Sequence, residues 1–128
     1  MYINNIQRCA SDARRAADFI RRHTSSEINA NTAIVLGTGL GDTLPVTSPT
    51  TISFNDIPGF GSLGPLEGHA REFVYGFINK TPAIIMRGRI HLNEDPTNPG
   101  EIIRMVRLQT EMLAHLGVNR LIPTCAVG

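Results

Sequence analysis

Ala33-Ile34-Val35-Leu36-Gly37-Thr38-Gly39-Leu40-Gly41 is the stretch on which the fold turns. A short continuous apolar run reads as a buried strand, and the glycines that follow open it into a tight turn. Glycines let backbone N–H groups come close to an anion, and the Thr38 hydroxyl adds a further donor. Two familiar nucleotide loops are excluded. The G-x-G-x-x-G spacing of a dinucleotide fold is not met, and no Gly-Lys-Ser/Thr follows as in a phosphate loop of the nucleotide-hydrolase type. A purely structural tight turn remains the alternative.

Upstream of this strand, Ile6, Cys9, Ala10, Ala13, Ala16, Ala17 and Ile20 fall at helical spacing between Asn5 and His23. The pattern predicts an amphipathic helix capped by Asn4 or Asn5, with Arg21, Arg22 and His23 complementing the carbonyls of its last turn. Downstream, residues 45–68 are dense in Pro, Thr, Ser and Gly, with a brief strand expected at Thr51-Ile52-Ser53-Phe54. Glu72 to Ile78 alternates in polarity, Asn79-Lys80 supplies a turn, and Pro82 to Met86 is a second apolar run, so a hairpin is expected. Asn98-Pro99-Gly100-Glu101 has the form of a helix start. The helix runs to about Leu116 with Ile102, Met105, Val106, Met112, Leu113 and Leu116 buried, and Gly117 ends it. Arg120 to Thr124 reads as a last strand. The order helix, strand, loop, hairpin, helix, strand argues for an α/β layered fold with a right-handed crossover between parallel strands.

Composition narrows the function. The chain has 128 residues, 41% of them hydrophobic and 18% charged, which is the profile of an ordinary globular domain. A net charge of +1 carries no basic footprint of a nucleic-acid binder. No apolar run approaches the roughly 18 residues of a membrane helix, and the N-terminus lacks the features of a secretion signal, so a cytoplasmic protein is expected. Cys9 and Cys125 fit neither a zinc pattern nor a redox pair, and read as buried thiols in a reducing compartment. A chain of this length buries only about two thirds of its unfolded surface, so each strong apolar element needs a partner.

Ligands in open α/β sheets collect beyond the carboxyl ends of strands, and several such places here carry polar residues. Arg89 and His91, two apart, project to one side of an extended path, and a guanidinium fork beside an imidazole suits a phosphate dianion. A surface ion pair of Arg89 with Glu94 or Asp95 is the alternative. His69 stands in a loop after Gly68. The closing Thr124-Cys125-Ala126-Val127-Gly128 offers amides that can donate to an anion. Cys125 has no base assigned to it by spacing and reads as a small buried hydrophobe.

Together these segments resemble the purine nucleoside phosphorylase family of trimeric type, which includes the methylthioadenosine phosphorylases. The resemblance is carried, in the family's order, by Ile34 to Gly41, Ile57-Pro58-Gly59-Phe60, Glu67-Gly68-His69-Ala70, Met86 to His91, and Leu116-Gly117-Val118 through Gly128. It implies a central mixed β-sheet flanked by helices, with residues 1–128 forming the N-terminal portion of one longer α/β domain. It implies phosphorolysis of a purine ribonucleoside to free base and ribose 1-phosphate. Thr38, His69, Arg89, His91 and the Ala126 N–H would hold phosphate, with Arg89 and His91 catalytic.

The resemblance calls for neither metal nor organic cofactor, only inorganic phosphate as co-substrate, and its partners are phosphate, a purine nucleoside and further copies of the chain in a trimer. Asn93 stands where the family places an aromatic residue beside the ribose, Asp95 replaces a glycine, and Cys125 replaces an asparagine. The glutamate and asparagine that hold the purine in the family have no counterpart here, so the isolated chain is expected to be inactive. Two other readings follow: a stand-alone phosphate-binding or protein-interaction module, or a chain that completes its site with another. The last requires large apolar surface at a sheet edge.

Overall fold

The computed structural model describes residues 2–24, 27–36, 44–60, 71–88 and 99–124. The elements are α1 (Tyr2–His23), β1 (Thr32–Leu36), β2 (Thr47–Ser53), a 3-10 turn (Phe54–Asp56), β3 (Glu72–Ile78), β4 (Thr81–Arg87), α2 (Pro99–His115) and β5 (Arg120–Pro123). The strands form one sheet in the order β2-β3-β4-β1-β5. β2, β3 and β4 pair antiparallel, while β1 is parallel to β4 on one side and β5 on the other. The mixed α/β sheet is therefore as expected. The β4–α2–β5 connection passes over β1 to join two parallel strands.

The hairpin follows from its turn. Asn79 and Lys80 both take positive φ, 49° and 68°, the backbone that matches the twist of paired strands. Seven register pairs run from Ile78↔Thr81 to Glu72↔Arg87. α2 ends at Gly117, whose φ of 94° admits the left-handed conformation. The Val118 N–H donates to the Leu113 carbonyl and the Gly117 N–H to the Ala114 carbonyl, both at 3.1 Å, closing the helix in a Schellman motif. Val118 then packs on the core.

Three sequence expectations change. α1 begins at Tyr2, so Asn4 and Asn5 lie inside the helix rather than capping it. An interior asparagine costs at most about 0.7 kcal/mol relative to alanine, too little to stop the helix. β2 starts at Thr47 rather than Thr51, and Phe54 leaves the strand for the 3-10 turn, where it is buried. Val106 is 40% exposed, while Leu108 takes the buried place. Val106 sits about 100° around the helix from Met105, off the stripe formed by Met105, Leu108 and Met112.

Both described helices lie on one face of the sheet. Ala13, Ala16, Ala17 and Ile20 of α1 and Met105, Leu108, Met112 and Leu113 of α2 share a core with Ala33, Val35, Phe73, Tyr75, Ile84 and Met86. The small alanines let α1 approach closely. Arg104 ties the layers together, donating to Asp12 of α1 at 3.2 Å and to the Gly59 carbonyl at 3.1 Å. The Arg21 guanidinium donates to the His115 carbonyl at the end of α2. On the opposite face Leu36, Val74 and Ile85 are buried under Leu44 and Val46.

Candidate active site

The sheet's hydrogen-bond register decides what can meet at its carboxyl edge. Leu36, the last residue of β1, is the Cα partner of Arg87, the last of β4. Val35 pairs with Pro123, the last of β5. On the antiparallel side, Arg87 pairs with Glu72, the first residue of β3, which pairs with Ser53, the last of β2. Ser53, Glu72, Arg87, Leu36 and Pro123 thus form a row across one edge of the sheet. Neighbouring strands are about 4.8 Å apart, so the row from Glu72 to Pro123 spans about 14 Å.

Thr38, His69, Arg89, His91, Asn93 and Ala126 all lie outside the described residues, as does Cys125. The residues that anchor their segments are described. Segment 37–43 leaves from Leu36, segment 61–70 returns at Arg71 and Glu72, segment 89–98 leaves after Arg87 and Gly88, and segment 125–128 leaves after Thr124. Every one of these anchors belongs to the same edge. The four segments quoted for phosphate are therefore rooted beside one another, although they are far apart in the chain.

Two contacts set how they leave. Thr124 donates twice to the Val35 carbonyl, from its N–H at 2.9 Å and its hydroxyl at 2.8 Å. This pins the exit of β5 one residue short of the end of β1. The sequence marks the closing segment from Thr124 only as a source of amide donors; the role of the Thr124 hydroxyl needs the β1–β5 register and has no local signature. The Phe54 N–H donates to the Arg71 carbonyl at 3.0 Å, closing the base of the excursion that contains His69.

Charge at this edge is mixed. Arg87 pairs with Glu72 at 3.7 Å across the strands, both about a quarter to a third exposed. The Arg87 Nε is buried without a hydrogen-bond partner among the described residues. Arg71 adds a second guanidinium at the start of β3. Cations next to the strand ends favour an anion, and Glu72 offsets part of that field. Among the described residues no cluster of three or more His, Cys, Asp and Glu could hold a metal ion. Among them, too, no helix is long and apolar enough to cross a membrane.

No protein-family model matches the sequence. The purine nucleoside phosphorylase of Rattus norvegicus is 33% identical over 118 residues, covering 91% of this chain and 38% of that protein. A solved structure of Schistosoma mansoni purine nucleoside phosphorylase in complex with inosine has 26% identity and a TM-score of 0.73, over 92% of this chain and 38% of the other. Isoform 2 from the same organism, in complex with cytosine and ribose-1-phosphate, also has 26% identity and a TM-score of 0.73, over 92% and 39%. The chain spans about two fifths of the length of these relatives.

Proposed function

We propose that this chain, a relative of the purine nucleoside phosphorylases over nine tenths of its length, supplies the phosphate side of a phosphorolysis site. In that reaction inorganic phosphate attacks the anomeric carbon of a purine ribonucleoside. The glycosidic bond breaks, the base leaves with the bonding electrons, and ribose 1-phosphate is released. The observation that carries the reading is the row of anchors. Leu36, Glu72, Arg87 and Pro123, side by side in the sheet, lie at the roots of the segments bearing Thr38, His69, Arg89, His91 and Ala126.

Thr38, His69, Arg89, His91 and the Ala126 N–H hold phosphate. Arg89 and His91 are the catalytic pair, because a dianion fixed by their donors faces the cationic sugar as the base departs. Asn93 stands on the ribose side. Positioning and electrostatics supply the catalysis, with neither metal nor organic cofactor. The purine is gripped by chain outside these 128 residues, and the working form is a cytoplasmic trimer. Support for the substrate comes from the relatives, one with inosine bound and one with ribose-1-phosphate.

Calorimetric titration of inorganic phosphate into the chain and an Arg89→Ala variant tests the site. Saturable heat in the first and at least tenfold weaker binding in the second is expected, and identical heats in both remove the claim. Inosine phosphorolysis by the 128-residue chain alone is expected to be negligible. Robust turnover would show that the purine is held within it.

A further inference from the structure

Glu72 and Arg87 are Cα partners at the open end of the β3–β4 hairpin, and Arg87 is also the Cα partner of Leu36. Residues paired directly across strands point to the same face of a sheet. Arg87 therefore stands between Glu72 and Leu36 on the face away from the helices, beside the buried Leu36, Val74 and Ile85. In the chain these three neighbours root different segments. Thr38 follows Leu36, His69 precedes Glu72, and Arg89 and His91 follow Arg87. Arg87 is the one basic residue in the row, and it lies at the middle of the roots on which the phosphate reading depends.

A cross-strand ion pair ordinarily ties two strands together, and this one does so weakly. Arg87 Nη1 lies 3.7 Å from Glu72 Oε1, longer than a hydrogen bond. Arg87 Nε is buried and has no hydrogen-bond partner among the described residues. A buried guanidinium donor left unbonded costs free energy that an acceptor would recover. Nor does the hairpin depend on the pair, since its register is set by the Asn79-Lys80 turn and by the pairs from Phe73↔Met86 to Ile78↔Thr81. Glu72 thus keeps the guanidinium at the edge by charge while leaving its donors for something else. A planar fork of N–H donors matches the oxygens of a phosphate.

We propose that Arg87 is a further phosphate-binding residue, and that Glu72 sets the affinity of the site by competing with the anion for the Arg87 guanidinium. This rests on the phosphorolysis reading above and deepens it. As phosphate binds, rotation about the Arg87 side-chain bonds exchanges the long contact with Glu72 for hydrogen bonds to the dianion, and Nε gains an acceptor. Glu72 stays nearby as an uncompensated carboxylate, which repels the dianion and weakens its hold. Both effects act at short range beside an apolar cluster, where solvent screens charge less than on an open surface.

Inorganic phosphate is titrated calorimetrically into the 128-residue chain and into Arg87→Gln, Glu72→Gln and Arg89→Ala, with the denaturation midpoint of each measured alongside. Arg87→Gln is expected to bind roughly fivefold more weakly, from loss of a charge-assisted fork. Glu72→Gln is expected to bind roughly twofold more tightly, from loss of a competing charge. The opposite signs are diagnostic, because both substitutions break the same ion pair. A pair that only holds the strands together would shift binding in one direction in both variants, in step with the midpoints. Unchanged affinity in Arg87→Gln overturns the proposal, and so does weakened binding in both. Should Arg87→Gln fail to fold, Glu72→Gln decides alone, and affinity no higher than that of the unaltered chain overturns the proposal. Binding weakened by Arg89→Ala but unmoved by the other two rejects Arg87 and Glu72 while the phosphorolysis reading stands. No saturable heat in the unaltered chain fails that reading, and this proposal with it.

Discussion

The two edges of the sheet are built differently. β2, at one edge, is protected. It is rich in Thr and Ser, carries Pro49, and breaks register between Thr47 and Thr50 around Ser48 at φ 51°. Bulges, prolines and polar side chains are how an edge strand avoids pairing with another chain. β5, at the other, sets Leu121 and Ile122 on opposite faces with neither covered. Only Pro123 restrains its backbone. The first edge is finished as a boundary, while the second has the side chains of an interior strand.

The same residue type at the two edges gives the largest test. Ile52 of β2 is 7% exposed and Ile122 of β5 is 43% exposed. Ile52→Ala should lower stability by about 2–5 kcal/mol, the range for a buried aliphatic truncation, as read from the denaturation midpoint. A cost no greater than that of Ile122→Ala would break the comparison. Next is Gly76→Ala in β3. Its Cβ would collide with Val46 and lie 3.0 Å from the Thr47 carbonyl, where the protected edge crosses. A loss of about 1–3 kcal/mol is expected from this overpacking, and an unchanged midpoint would show that the 46–49 stretch moves aside freely.

Ile122→Ala should cost less, on the order of 1 kcal/mol, since 43% of the residue stays in contact with water. The smallest change in stability, within about 0.5 kcal/mol, is expected for Pro123→Val. Its effect should appear in association instead. The restored outward N–H gives β5 a second donor, so sedimentation should detect more self-association than in the unaltered chain. No increase would mean that Pro123 does not guard the edge.

Local signals were legible where local chemistry decides. The strand at Ala33–Leu36, the Asn79-Lys80 turn and the Gly117 stop each depend on a few adjacent residues, and each lies where the sequence pattern places it. The α2 stripe was half legible. Helical spacing offers several adjoining faces, and only packing against α1 and the sheet selects Leu108 over Val106. Pro49 hid the start of β2, because proline ordinarily argues against a strand and is tolerated here at an edge. Of the candidate site, residue types and order were legible, whereas the roles of Thr124 and of the Glu72–Arg87 pair were not. Those contacts join residues 89 and 15 positions apart.

By itself the sequence determined the elements, the anion-suited residues at their ends, and the kinship those residues imply. Only the tertiary structure decided the strand order β2-β3-β4-β1-β5, and with it which strand ends form one row and which strand is left uncovered. The reason is physical. Helix and turn propensities are set within a few residues, whereas a sheet's ladder pairs groups distant in the chain, and burial depends on which neighbours that pairing supplies.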